Sequence, residues 1–176
     1  MSSPSSFRGP PKRTAVAAGA VGVVAAILLL CGTWARADGS GAGGGALKGK
    51  VIVSDTEFGT GYGSDAELLK AVRKQGRSSI KSAGNNAWTL NLMVFLKEAP
   101  GATSLNIVYY DVSVKPRDQV NFSEVQVQST QRIVQVNGVA ISKDLGFVKG
   151  HKYDVLATRL IGGKEKVYAR GTVTLK

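Results

Sequence analysis

The sequence predicts a mainly β protein: an antiparallel two-sheet sandwich with one short helix on its N-terminal side, preceded by an N-terminal apolar helix. Three observations predict it. Residues 15–31 carry no charge and are apolar throughout. One stretch, 65–75, has helical spacing. From Asn86 onward the apolar residues alternate, and turn residues recur at short intervals.

Residues 1–14 (MSSPSSFRGPPKRT) are rich in Pro and Ser and hold Arg8, Lys12 and Arg13. The run AVAAGAVGVVAAILLLC follows at 15–31. Cations kept in the cytoplasm beside a segment that partitions into the bilayer are what an export signal needs. Ala35-Arg36-Ala37 supplies a small-x-small cleavage pattern that places a new N-terminus at Asp38. Retention is the second outcome, because 17 apolar residues reach the lower limit for a spanning helix. Lipidation at Cys31 is a third, disfavoured by Leu30 where a small residue is wanted. The first two outcomes place the rest of the chain outside the cytoplasm, periplasmic or on the envelope, with the membrane as a partner through 15–31 if the segment stays. Residues 15–37 are thus signal peptide or anchor, 38–46 a Gly-rich linker, and 47–176 the β domain.

Nine of the 22 glycines fall between Gly39 and Gly63. Those at 59, 61 and 63 lie between a short strand at 50–54 and the helix at 65–75, as phosphate-binding loops do. The details argue against a nucleotide. Gly59-Thr60-Gly61-Tyr62-Gly63 lacks the glycine spacing of the dinucleotide fingerprint and the Gly-Lys-Ser/Thr of a P-loop. Asp65 would repel phosphate at the helix start. Ser64 and Glu67 instead form a capping box, and Gly76 suits the helix end.

In the β domain, Trp88, Leu90, Leu92, Val94 and Leu96 alternate, with Met93 and Phe95 on the opposite face. This pattern fits a central strand covered on both sides. Strands follow at 105–114, 120–127, 133–136 and 139–141, the last two joined by an Asn137-Gly138 tight turn. Residues 142–150 have room for a single helical turn. A hairpin of 153–161 and 164–175 turns at Gly162-Gly163. Seven or eight short strands look like a sandwich, immunoglobulin-like in outline only. The disulfide of true immunoglobulin domains is absent, since Cys31 is the one cysteine.

The chemistry of an enzyme is hard to find. His151, the single histidine, has no carboxylate beside it in sequence. Asp111, Asp118, Glu124, Asp144 and Asp154 are scattered rather than paired. The sequence therefore leads to no catalytic residue, no cofactor and no metal ligand. Charge is more informative. The chain holds 23 basic and 12 acidic residues, a net +11, and only four of the basic residues precede Asp38. Such a balance favours anionic partners. One cluster surrounds the helix (Lys70, Arg73, Lys74, Arg77, Lys81), and the candidate anion-binding set is Lys149, Lys152, Lys164, Lys166 and Arg170. In a regular strand Lys164, Lys166 and Arg170 would share one face, with Tyr109 or Tyr110 available for stacking. The resulting expectation is a non-enzymatic exported module for an unidentified protein or envelope component. The alternatives are a binder of anionic glycan, lipid headgroups or nucleic acid, and then a hydrolase.

Overall fold

Among the described residues eight strands form, as the alternation predicts, but all eight hydrogen bond into one sheet rather than two. The chain is seen in a computed structural model that describes residues 42–176. The expected signal or anchor, Cys31, and the cleavage residues Ala35, Ala37 and Asp38 lie outside the described residues. Residues Ala42–Leu47 make a 3-10 turn, and Leu47 is buried. The strands are β1 (Lys50–Ser54), β2 (Ser79–Ile80), β3 (Ala87–Phe95), β4 (Ser104–Asp111), β5 (Asp118–Gln126), β6 (Ile133–Ser142), β7 (Lys152–Ile161) and β8 (Lys164–Leu175). Helix α1 is Asp65–Gln75.

The strand order is β5-β4-β7-β8-β1-β3-β6, with β2 added to β8 beyond the end of β1. Neighbours are antiparallel except β1 with β8 and β2 with β8. The sheet curls until it is nearly closed, like a barrel. Inward residues of the two end strands, Val125 on β5 and Val134 and Val136 on β6, meet in one core with Leu90, Leu92, Ile107, Val155 and Ala169. A sandwich would need two separate sheets, and the strand pattern alone does not distinguish the two arrangements. One inward face and one outward face give the same alternation whether the strands stack or wrap.

Helix α1 lies on the outside. Leu69 and Val72 pack against Met93, Phe95 and Phe58, which accounts for the two-sided burial of β3. Its cap is as read from sequence: Ser64 Oγ accepts from the Glu67 amide at 3.3 Å. Glu67 reaches back to the Gly63 amide at 3.0 Å. Gly76 allows close approach, since a Cβ there would meet Ile52 Cγ2 at 2.8 Å.

Asn137-Gly138 is not a hairpin turn, because β6 runs straight through it. The register between β3 and β6 shifts between Leu90 and Leu92, so the left-handed Gly138 (φ +66°) serves a bulge. Its amide donates to the buried Asn91 Oδ1 at 2.9 Å. A second irregularity lies in the last hairpin, where Thr158 pairs with Val167 but Ala157 pairs with Ala169. Tyr168 is the extra residue, and it is buried in the core.

Candidate functional site

The barrel has two ends and one side seam at which charged residues gather. At the first end, Asp111 closes β4 while His151 leads into β7. His151 Nδ1 donates to Asp111 Oδ2 at 2.6 Å, and the other carboxylate oxygen accepts from the Ser113 amide at 2.8 Å. Ser113 Oγ in turn accepts from the Lys152 amide at 2.8 Å. Asp111 is buried. Sequence reading could not find this pair, because its members are forty residues apart and meet only when β4 and β7 align. Chemically the pair fixes the imidazole orientation. Ser113, the nearby hydroxyl, is held by the backbone, so the cluster acts as a clasp between β4 and the start of β7.

Behind the clasp lies an aromatic plug. Phe147, carried by the segment after β6, meets Tyr109 edge-on (centroids 5.6 Å apart, 80° between planes) and Tyr153 at 5.1 Å. The Tyr153 hydroxyl accepts from the Val148 amide at 2.7 Å. Burial pushes the Tyr153 phenol up, opposed in part by that bond. Tyr109 is pushed much further above the ordinary phenol value, again by burial, and its hydroxyl has no hydrogen-bond partner among the described residues. Tyr109 is therefore core and no stacking surface. Tyr110 faces outward, with the Arg117 guanidinium 4.4 Å above its ring.

The seam is between β1 and β8. They pair in register only at Lys50 and Arg170, where the Arg170 amide donates to Gly49 O at 3.0 Å. Beyond that point the segment leading into β2 wedges between them: the Arg77 amide donates to Val53 O at 2.8 Å, and the Thr174 amide to Ser78 O at 3.0 Å. An open groove follows the divergence, and its lining includes Lys48, Lys50, Arg77, Lys97 and Arg170. Arg77 lies 3.7 Å from Asp55 and Arg170 pairs with the buried Asp154. Lys48 and Lys50 come from one short segment and Lys97 from just after β3, so the sequence shows a local basic pair but not the groove.

The candidate anion-binding set is divided. Lys152 pairs with Thr174 at the clasp end, where Lys149 also lies, whereas Lys164 pairs with Ile161 at the opposite end. Lys166 reaches Glu98 at 2.6 Å. That contact holds the Glu98 carboxyl below the usual range and raises the Lys166 ammonium. The bulge at Tyr168 breaks the strict alternation, so Lys166 keeps the side of Tyr168, whose ring its ammonium approaches at 5.2 Å, and Arg170 faces the other way. Of the five, only Arg170 lines the groove.

Among the described residues, no group of three or more His, Cys, Asp or Glu could hold a metal ion, and no helix is long and apolar enough to cross a membrane. No family model, no curated protein and no solved structure matches this chain.

Proposed function

We propose that this chain is a non-enzymatic binding module acting outside the cytoplasm, delivered there by residues 1–37 and then either released at Asp38 or held by 15–31. The observation that carries the binding role is the basic groove at the β1–β8 seam. Ammonium groups around an open concavity attract an extended anionic partner over a distance and tolerate variation in its sequence or sugar. This favours the anion-binding form of the reading, with envelope glycan, lipid headgroups or nucleic acid as the class of partner. The Asp111–His151 pair has a structural use as a clasp, which supports leaving catalysis aside.

Cell fractionation with intact-mass measurement tests the delivery. Mass beginning at Asp38 in the extracytoplasmic soluble fraction, or the whole chain in the membrane fraction, is expected; cytoplasmic protein refutes it. Retention on a sulfated polysaccharide matrix tests the groove. It should fall steeply with salt, and Lys50→Glu with Lys97→Glu should remove it. Hydrolytic activity abolished by His151→Ala would overturn the non-enzymatic assignment.

A further inference from the structure

The β7–β8 hairpin outruns its neighbours. On the β4 side the pairing ends at Asn106 with Thr158, and on the β1 side it begins only at Lys50 with Arg170. Residues 159–166 therefore extend past the paired parts of both flanking strands. At their tip, Gly162 (φ +56°) and Gly163 (φ +75°) make the left-handed two-residue turn of a tight hairpin. Just before it stand Leu160 and Ile161, 65% and 45% exposed. Two neighbouring aliphatic side chains at the far point of a projecting hairpin stabilise nothing inside the barrel.

Cations outnumber carboxylates around the tip. Lys164 follows the turn, Glu165 pairs with Leu160 and accepts from the Tyr110 hydroxyl at 3.5 Å, and Lys166 pairs with Arg159 one step further down. Arg159 is steadied by the carbonyl of Pro100 at 3.0 Å. Lys48 and Arg132 are close enough to lower Glu98 electrostatically, so they share this end with Lys166. The polypeptide also enters here. Because β1 runs parallel to β8 with Lys50 opposite Arg170, the residues before Lys50 arrive on the side from which the hairpin projects. In the sequence, ten residues separate Cys31, the end of the apolar run, from Ala42. They amount to about 35 Å of chain at full extension.

We propose that the overhanging β7–β8 tip is a lipid-contacting element, docking this end of the barrel onto an anionic bilayer with Leu160 and Ile161 entering the headgroup–acyl boundary. The proposal deepens the anion-binding reading and rests on it, by naming the lipid surface as the partner. An exposed aliphatic pair beside Arg159, Lys164 and Lys166, with Glu165 and Glu98 as the carboxylates among them, keeps the net-basic amphipathic chemistry of interfacial anchors. A soluble polyanion would use the cations and leave the leucine and isoleucine in water. Each cation near an anionic surface contributes about fivefold in affinity, and each inserted aliphatic side chain about tenfold.

The test uses residues 38–176, which contain every buried core residue from Leu47 to Leu175. Vesicles of phosphatidylcholine, with and without phosphatidylglycerol, are sedimented with this protein at low and high salt. Binding only to the anionic vesicles is expected, and the exposed-site double variant Leu160→Asp, Ile161→Asp should weaken it about a hundredfold. Leu160→Cys bearing an environment-sensitive fluorophore should shift to the blue on anionic vesicles; the fragment has no other cysteine. Absence of lipid-dependent binding overturns the proposal, as does binding indifferent to the double variant. A blue shift without lipid, accompanied by dimerisation, also overturns it by making a second copy the occupant. Failure of the underlying reading shows separately, as loss of salt-dependent retention on the sulfated matrix.

Discussion

Replacing Gly171 by alanine would drive β1 away from β8. Gly171 sits where the two strands cross closest: a Cβ added there would lie 2.2 Å from Val51 O, 2.9 Å from Val51 Cβ and 3.0 Å from Val51 C. A carbon and a carbonyl oxygen approach to about 3.3 Å without repulsion, so the strands must separate by about 1 Å. That shift would stretch the Arg170 amide to Gly49 O bond from 3.0 Å to beyond bonding length. It would also lift the inward Val51 and Val53 from the core. Overpacking of this kind costs about 1–3 kcal/mol, and the lost hydrogen bond about 1 kcal/mol more. With about 3 kcal/mol in total, and about 3 °C per kcal/mol for a domain of this size, Tm should fall by about 10 °C. Thermal unfolding followed by circular dichroism reads the change. Gly59→Ala is the control, because its only close neighbour is the movable Tyr62 hydroxyl at 3.3 Å. It should stay within about 0.5 kcal/mol of the parent. A Gly171→Ala protein melting with the parent would refute the close β1–β8 contact and, with it, the groove that depends on where the strands part.

Tyr109→Phe removes a buried hydroxyl without a partner and should stabilise by about 1 kcal/mol. Because burial raises the Tyr109 phenol, the parent should be fully stable below the ordinary phenol value of about 10 and lose stability as pH rises above it. The variant should unfold at higher pH in an alkaline titration, and an unchanged midpoint would contradict the assignment. Phe147→Ala empties the plug between Tyr109 and Tyr153 and should cost about 3–5 kcal/mol by denaturant titration. His151→Ala leaves the buried Asp111 short of one partner and should cost about 1–3 kcal/mol. It should leave salt-dependent retention on the sulfated matrix unchanged, and lost retention would place the clasp in the binding surface.

Most elements of this fold were legible because burial imposes a period on the sequence. Trp88 to Leu96 shows it on β3, and Ser64 with Glu67 marks the start of α1 through chemistry confined to four residues. What escaped depends on partners far away in sequence. Asn137-Gly138 has the composition of a tight turn, yet the deciding group is the Asn91 side chain on another strand. Tyr168 looks like any strand residue until its pairing shows the bulge, and that bulge separates Lys166 from Arg170. Two-residue β2 is too short to carry a period, but its lead-in opens the groove. Closure into one sheet was hidden for the same reason. Alternation tells which side of a strand is wet, and says nothing about which strand lies beside it.

The placement of β8 in the middle of the sheet has a bearing on when folding can occur. β8 follows every other strand in the sequence, yet it separates β7 from β1 and carries the parallel addition of β2. Before Lys164–Leu175 joins, β5-β4-β7 and β1-β3-β6 are two fragments with open edges, and neither encloses the core. Long-range closure of this kind is slow compared with local structure. A chain emerging from its N-terminal side therefore cannot enclose this core until its last strand has arrived. The topology sets the order of events: edge fragments first, and closure only when the central strand arrives.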